Sequence, residues 1–346
     1  MKLVKLYRII IIPLFCLQFE IAGNGITSQN EGIGGGIGGH ISSFAFAVLL
    51  SQEFGLKLYN PAFPYVELFN IATLPSIPKG QRTIFVRTED DIKKNLNKKN
   101  ILFITSRGTK VKSFNKDGIN LLKQLVSPKK NIVLSPLPTN TVTIAVHIRK
   151  GNNPLKYDGA LSSQQLFDLH NKVKIVYNRD FHYYSFDPAC TYARRPRPNK
   201  PHRPNKQQID NQDGWETKFP PEQFYIDQLN RVARDLSNYS LFVRIFTDDQ
   251  DPDALLKRIK NHVHEPNVYF DDSTTAYTDD ILKRMADDVC DMARFDILIR
   301  SQSYFPRVAE LIGNHKIVIF PLDFEWRDNK LIMKEIVING DYSSLK

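Results

Sequence analysis

The chain has 346 residues, 42% apolar and 24% charged, with a formal net charge of +10. That composition excludes a disordered or fibrous chain, and the length points to two domains of ordinary size. The positive excess favours an anionic partner, whether nucleotide sugar, nucleic acid or membrane surface, and decides nothing about fold.

In chain order, Lys2, Lys5 and Arg8 precede an apolar run from Ile9 to Phe19. That run falls short of the roughly 20 residues a bilayer-spanning helix needs. With the small residues Ala22 and Gly23 it has the form of a secretory signal. The alternative is a first buried strand. The signal reading places the protein in the secretory pathway, the periplasm or at a membrane; the other leaves it cytoplasmic. Of the three cysteines, Cys16 would leave with a signal. Cys190 and Cys290 have no metal-site spacing.

The stretch Gly34-x-Gly36-x-x-Gly39 is followed by Ile41, Phe44, Ala45, Val48 and Leu49 at helical spacing, up to Gly55. Alone, this matches a dinucleotide-binding loop. Such a site needs a strand directly before the glycines and an acidic residue about 20 positions on, at a strand end. Only the short "ITSQNE" precedes the loop, and Glu53 lies inside the helix. A Rossmann oxidoreductase is therefore the weaker reading. Apolar runs at 83–86, 101–105 and 131–135 predict strands within a first α/β unit.

The second half alternates more clearly. Strands are predicted at 142–148, 240–246, 267–270, 296–300 and 316–320. Helices are predicted at 222–236, 251–263, 278–295 and 305–313, with Pro252 suited to a first turn and Thr278 to an N-cap. Alternation of this kind makes a parallel sheet covered on both faces. One insertion, 192–214, interrupts it, with six Lys/Arg and four Pro between Arg194 and Lys206. It is a solvated, polyproline-like loop or a basic lid over an anion. No stacking platform for nucleic acid accompanies it.

Ligands of open parallel sheets bind beyond the carboxyl ends of the strands. The strand at 142–148 ends in His147, Arg149 and Lys150, that at 240–246 in Asp248 and Asp249, and that at 296–300 in Ser301 and Ser303. Arg149 has the fork geometry to grip a phosphate. Ser301 and Ser303 open a helix, where free N–H groups favour an anion. An aspartate suits ribose hydroxyls or a base amine. Each motif also has a plain reading: a surface arginine, a helix cap, a capping serine. The aspartates of "DDQD" could hold a divalent ion, with capping as the competitor.

These motifs, in this order, are similar to those of fucosyltransferases. "GGGIGGHISSFAFAVLLSQEFGLKLYNP" resembles the glycine loop and first helix of the α-1,2 enzymes. "VTIAVHIRKGN" resembles the H-x-R-R-G-D motif shared by α-1,2-, α-1,6- and protein O-fucosyltransferases. "IFTDD" and "DILIRSQSYFPRVAELIG" resemble their later motifs. The resemblance spans about residues 33 to 313. It implies an α/β fold of GT-B type, two Rossmann-like domains facing a central cleft: 24–140 with the glycine loop on the acceptor side, and 141–335 for the nucleotide sugar, followed by a tail from 336 to 346. It implies an inverting glycosyltransferase that uses GDP-fucose or a related donor, needs no metal or other cofactor, and acts on a glycan or protein hydroxyl. A carbohydrate or glycoprotein would be its partner, with no nucleic acid.

By position, Arg149 would take the β-phosphate, supported by His147 and Lys150. Asp248 or Asp249, with Asp296, would hold guanosine. Ser301 and Ser303 would lie near the pyrophosphate, with Phe305 behind. Gly35, Gly36, Gly38, Gly39 and His40 would form the glycine loop, and Glu31 or His40 is the candidate base. Departures from the family pattern are Asn152 for aspartate, Gly39 for asparagine, His40 for glutamine, and Tyr304 and Pro306 for serines. They motivate an alternative: a weak or inactive relative that binds sugar or nucleotide.

Overall fold

A computed structural model describes residues 23–29, 36–64, 66–111, 116–129, 134–150, 175–177, 182–184, 219–249, 251–271, 281–327, 330–340 and 342–345. The N-terminal segment, Glu31, Gly35, Asn152, Cys190 and the basic insertion lie outside them.

Two parallel sheets organise the chain. The first joins β1 (Gly25–Ser28), β2 (Lys57–Leu58), β3 (Arg82–Phe85) and β4 (Ile101–Thr105) in the order β2-β1-β4-β3. The second contains β5 (Val142–Ile148), β8 (Leu241–Thr247), β9 (Val268–Phe270), β10 (Ile297–Arg300) and β11 (Ile317–Arg327). They run β9-β8-β5-β10-β11, all parallel. Taken by position in the chain, that order is the doubly wound 3-2-1-4-5, with its switch point between β5 and β10. β12 (Lys330–Asn339) continues the sheet antiparallel to β11, and β6 (Ile175–Tyr177) and β7 (His182–Tyr184) pair with its outer side. The expected α/β architecture with two parallel-sheet units is present.

The strands of the second unit form because their residues are apolar on both faces. All seven residues of β5 are buried. On one face lie α4 (Glu222–Asp235) and α5 (Pro252–His262), packing Phe224, Leu229, Val232, Leu255 and Ile259 against Ile144, Val146 and Ile299. On the other lie α6 (Ile281–Met292) and α7 (Tyr304–Ile312). α5 starts at Pro252 as expected, and Asp251 caps it by accepting from Ala254 N at 2.9 Å.

The first helix departs from expectation. The pattern reads as amphipathic, yet α1 (Gly36–Phe54) is buried on every side from Ile37 to Ser51. Ala47 and Leu50 pack against Ile26 and Phe103 of the first sheet. Ile37, Ile41, Phe44 and Val48 share a core with Ala145, Leu298 and Val318 of the second sheet, and with α3 (Lys116–Val126) and α7. Two of its serines bond back to the helix: Ser43 Oγ to Gly39 O at 3.1 Å and Ser51 Oγ to Val48 O at 2.7 Å. α1 is thus the joint between the units. Gly55, with φ +62°, ends it in the left-handed conformation glycine tolerates.

α1 meets α7 backbone to backbone. A Cβ at Gly38 would lie 2.6 Å from both Phe305 N and Tyr304 C. Neither is a flexible tip, so Gly38→Ala is expected to pry the units apart and cost about 1–3 kcal/mol, as overpacking does. Denaturant unfolding measures this; an unchanged midpoint would show that the joint yields freely.

Other boundaries moved. A strand does precede the glycines: β1 is buried and central in its sheet. The next strand, β2, ends at Leu58 and is followed by Tyr59 and Asn60, so no carboxylate stands where a dinucleotide ribose would need one. Of the strand expected at 131–135, residues 134 and 135 carry no strand, and the rest lies outside the described residues. The strand expected at 316–320 runs on to Arg327 through a register shift after Pro321, and its hairpin partner β12 takes in the start of the expected tail. The shift and the proline hide the strand from pattern reading. Leu345, near the end of that tail, is buried in the core.

Candidate functional site

The switch point lies where β5 and β10 end, and most of the polar groups singled out in the sequence meet there. β5 and β10 pair in register, with Arg300 beside His147. Beyond them the chain exits through Arg149 and Lys150 on one strand, and through Ser301 and Ser303 on the other. Ser303 is the N-cap residue of α7, but its hydroxyl makes no capping hydrogen bond. Instead Ser303 N donates to Ser301 Oγ at 3.4 Å. Ser303 Oγ, His147 Nδ1 and Arg149 Nε are all buried without a hydrogen-bond partner among the described residues. Buried polar atoms are nearly always paired in folded proteins. Three unpaired ones gathered in the segments that end β5 and open α7 are polar groups that an acceptor-rich, anionic ligand could bond.

The supporting groups are more fully engaged. Asp248 Oδ1 accepts from Lys150 N at 2.7 Å and so fixes the exit of β5. Lys150 Nζ pairs with Glu222 at the start of α4, and Arg258 of α5 grips the same carboxylate through Nε and Nη2, both at 3.0 Å. The two cations outweigh burial and hold the Glu222 carboxyl below its ordinary range. The Arg149 guanidinium lies 5.5 Å from the centre of the Phe219 ring. The Tyr225 hydroxyl is buried beside Ser301 and the Arg149 main chain, and burial raises its pKa.

His147 is held neutral. Burial pushes its imidazole down to about 4; Asp248 opposes this, while Arg149 and Arg300 reinforce it. Its ring tilts against Phe305 at 5.5 Å. The unfolded chain therefore binds more protons than the folded one between about pH 4 and pH 6.5. This contribution to stability is complete above the upper value and is lost as pH falls towards the lower. Buried His315 adds the same sign. Asp288, raised to about 7 by burial, has the opposite sign and loses its contribution as pH rises. We expect His147→Gln to lose less stability than wild type between roughly pH 7 and pH 5 in urea unfolding. Equal losses would show that His147 does not titrate this way.

Beneath the rim lies a pair that sequence reading did not single out. Arg300 is completely buried, its Nε bonding Glu310 Oε2 at 2.7 Å and its Nη1 bonding Ser301 O at 3.0 Å. Phe320 covers the guanidinium at 4.1 Å. The signal was present: a charged residue in an otherwise apolar buried strand must find a partner. Arg244, in β8, follows the same logic. It pairs with Asp271 and Asp291 and donates to Pro136 O at 3.3 Å.

Some expected members are elsewhere. Asp296 sits at the amino end of β10, the end opposite the rim. There its Oδ2 accepts from Thr143 N and Oγ1 at 3.0 and 2.9 Å. Asp249 is occupied in turns, taking Asp251 N on Oδ1 and donating its own N–H to Thr247 Oγ1. Asp249 thus shapes the turn, and Asp251 is the residue that caps α5. Among the described residues no group of three or more His, Cys, Asp or Glu gathers to hold a metal ion. His40 is fully buried, stacked on Phe63 at 5.1 Å within the first unit. Gly36 opens α1, and Gly38 and Gly39 lie buried in its first turn. Cys290 is a buried free thiol. No helix among the described residues is long and apolar enough to cross a membrane.

No family model matches the chain, and no curated protein does. Solved structures do. The chain is similar to POFUT1 in complex with GDP-fucose at 13% identity and TM-score 0.45, over 85% of this chain and 94% of that one. It is similar to a mutant of Arabidopsis thaliana FUT1 in complex with GDP at 9% identity and TM-score 0.47, over 89% and 72%. It is similar to the fucosyltransferase NodZ from Bradyrhizobium at 13% identity and TM-score 0.45, over 92% and 99%.

Proposed function

We propose that this protein is a glycosyltransferase that moves a fucosyl group, with inversion, from GDP-fucose to a hydroxyl of a glycan or protein. One observation carries the reading: Ser303 Oγ, His147 Nδ1 and Arg149 Nε, all buried and unpartnered, belong to the ends of β5 and β10 and the segments that leave them, at the switch point of a doubly wound sheet, where α7 starts without a side-chain cap. A diphosphate supplies the acceptor oxygens those groups lack. The four ordered motifs that resemble fucosyltransferases point to guanosine diphosphate and fucose as donor.

The chemistry follows from the charges. As the bond between the sugar and the β-phosphate oxygen breaks, positive charge grows on the sugar and negative charge on GDP. Arg149, just beyond the carboxyl end of β5, is a fixed donor for that negative charge, which is where such groups lower a barrier most. Neutral His147 donates or accepts one hydrogen bond without adding charge. Asp248 holds the Arg149–Lys150 turn in place. The acceptor oxygen attacks the opposite face and gives up its proton, with Glu31 or a donor phosphate oxygen as the receiving base. His40, stacked inside the first unit, is a weaker choice.

The test is a panel of nucleotide sugars followed by release of the nucleoside diphosphate, with binding measured in parallel. Release from GDP-fucose, faster with a sugar acceptor present, is the expected result. Binding without release from any donor would instead make this a nucleotide-sugar binder.

A further inference from the structure

The rim described above belongs to the second unit, yet the first unit also reaches it. Arg107 follows β4 at the carboxyl edge of the first sheet and is exposed. Its side chain lies over Gly39. A Cβ at Gly39 would stand 3.4 Å from Arg107 Nη1 and 3.6 Å from Cζ, so the bare helix backbone leaves the guanidinium its place. From there Arg107 reaches across the joint to Tyr304, the first residue of α7, with its Cζ 5.9 Å from the ring centre. Arg307 of α7 approaches the same ring at 5.8 Å. Two guanidinium groups, one from each unit, thus gather on the residue that follows Ser303.

Two helix starts meet at this point as well. Gly38, in the first turn of α1, touches the main chain of Tyr304 and Phe305. Each helix start carries about half a positive charge. Ser303, 1% exposed, and His147, 5% exposed with its ring 5.5 Å from that of Phe305, carry unpartnered polar atoms close to this helix start. So much positive potential in one spot suits a multiply charged anion better than a single carboxylate.

We infer that Arg107 is a second phosphate-binding residue of this site, gripping the diphosphate of the nucleotide from the first unit, opposite Arg149, with Arg307 beside it. The inference rests on the reading of the site as a nucleotide diphosphate site. It assigns the first unit a share in holding the donor and makes Arg107 a determinant of specificity for diphosphates over the bare nucleoside.

Calorimetry on the full chain tests it, using GDP, guanosine and inorganic pyrophosphate as probes with wild type, Arg107→Ala, Arg107→Lys and Arg149→Ala. Arg107→Ala is expected to weaken GDP and pyrophosphate roughly 10- to 100-fold, the worth of a charge-assisted hydrogen bond, and to leave guanosine unchanged. Arg107→Lys is expected to recover part of the loss, because it keeps the charge but not the fork. A merely structural role would weaken all three probes together and gain nothing from lysine. GDP affinity equal in wild type and Arg107→Ala, with Arg149→Ala impaired, overturns the role of Arg107 and leaves the donor reading intact. Pyrophosphate bound through Arg107 but no GDP bound by wild type sinks the donor reading and, with it, the placing of Arg107 on a nucleotide. Neither probe bound by wild type overturns both.

Discussion

Arg149→Ala is expected to lower kcat/KM for GDP-fucose by roughly 10²- to 10³-fold, the cost of removing one fixed donor from a developing anion. The melting temperature should hardly move. Arg149 Nε is buried without a partner, so the resting fold gains little from it. Its guanidinium packs near the Phe219 ring at 5.5 Å, a contact worth about 1 kcal/mol. Arg149→Lys should recover only a small part, since lysine cannot present two parallel donors to a phosphate. Steady-state release of GDP measures both variants. Equal release from wild type and Arg149→Ala would remove Arg149 from the mechanism, whatever the protein binds.

Glu310→Ala should be the most damaging single change to the fold. Arg300 has no solvent exposure, and Glu310 is its carboxylate partner, bonded to Nε at 2.7 Å. Removing Glu310 strands a guanidinium in the interior, a loss of about 3–5 kcal/mol where buried pairs are broken from one side. The double change Arg300→Met with Glu310→Leu removes both charges and should recover most of that loss. Urea unfolding of the single and double variants decides it. A double variant as unstable as Glu310→Ala would mean that shape, not charge, is what Glu310 supplies. Because Arg300 also bonds Ser301 O at 3.0 Å, the recovered double variant should still bind GDP less tightly than wild type, through a looser turn into α7.

Much of the second unit can be read directly from its residues. The runs at 142–148 and 297–300 are apolar on both faces, which only a strand covered by helices can satisfy. Their polar endings, His147 with Arg149 and Ser301 with Ser303, follow from strand direction, because a residue after a parallel strand lies at its carboxyl edge. The same rule, applied to Asp296, puts it before its strand and hence at the other end, bonded to Thr143. The family motif drew Asp296 into the site; strand direction takes it out.

The amino-acid sequence by itself determined the alternating strands and helices of the second unit, the α/β class and the rim where β5 and β10 end, since these depend on local periodicity and chain direction. Only the tertiary structure decided what covers the second face of α1, which charges meet in the interior, and which distant side chain fills the space above Gly39. Those outcomes come from contacts between residues far apart in the chain. Arg107 and Tyr304 are separated by most of the protein, and no local pattern in either carries the distance between them.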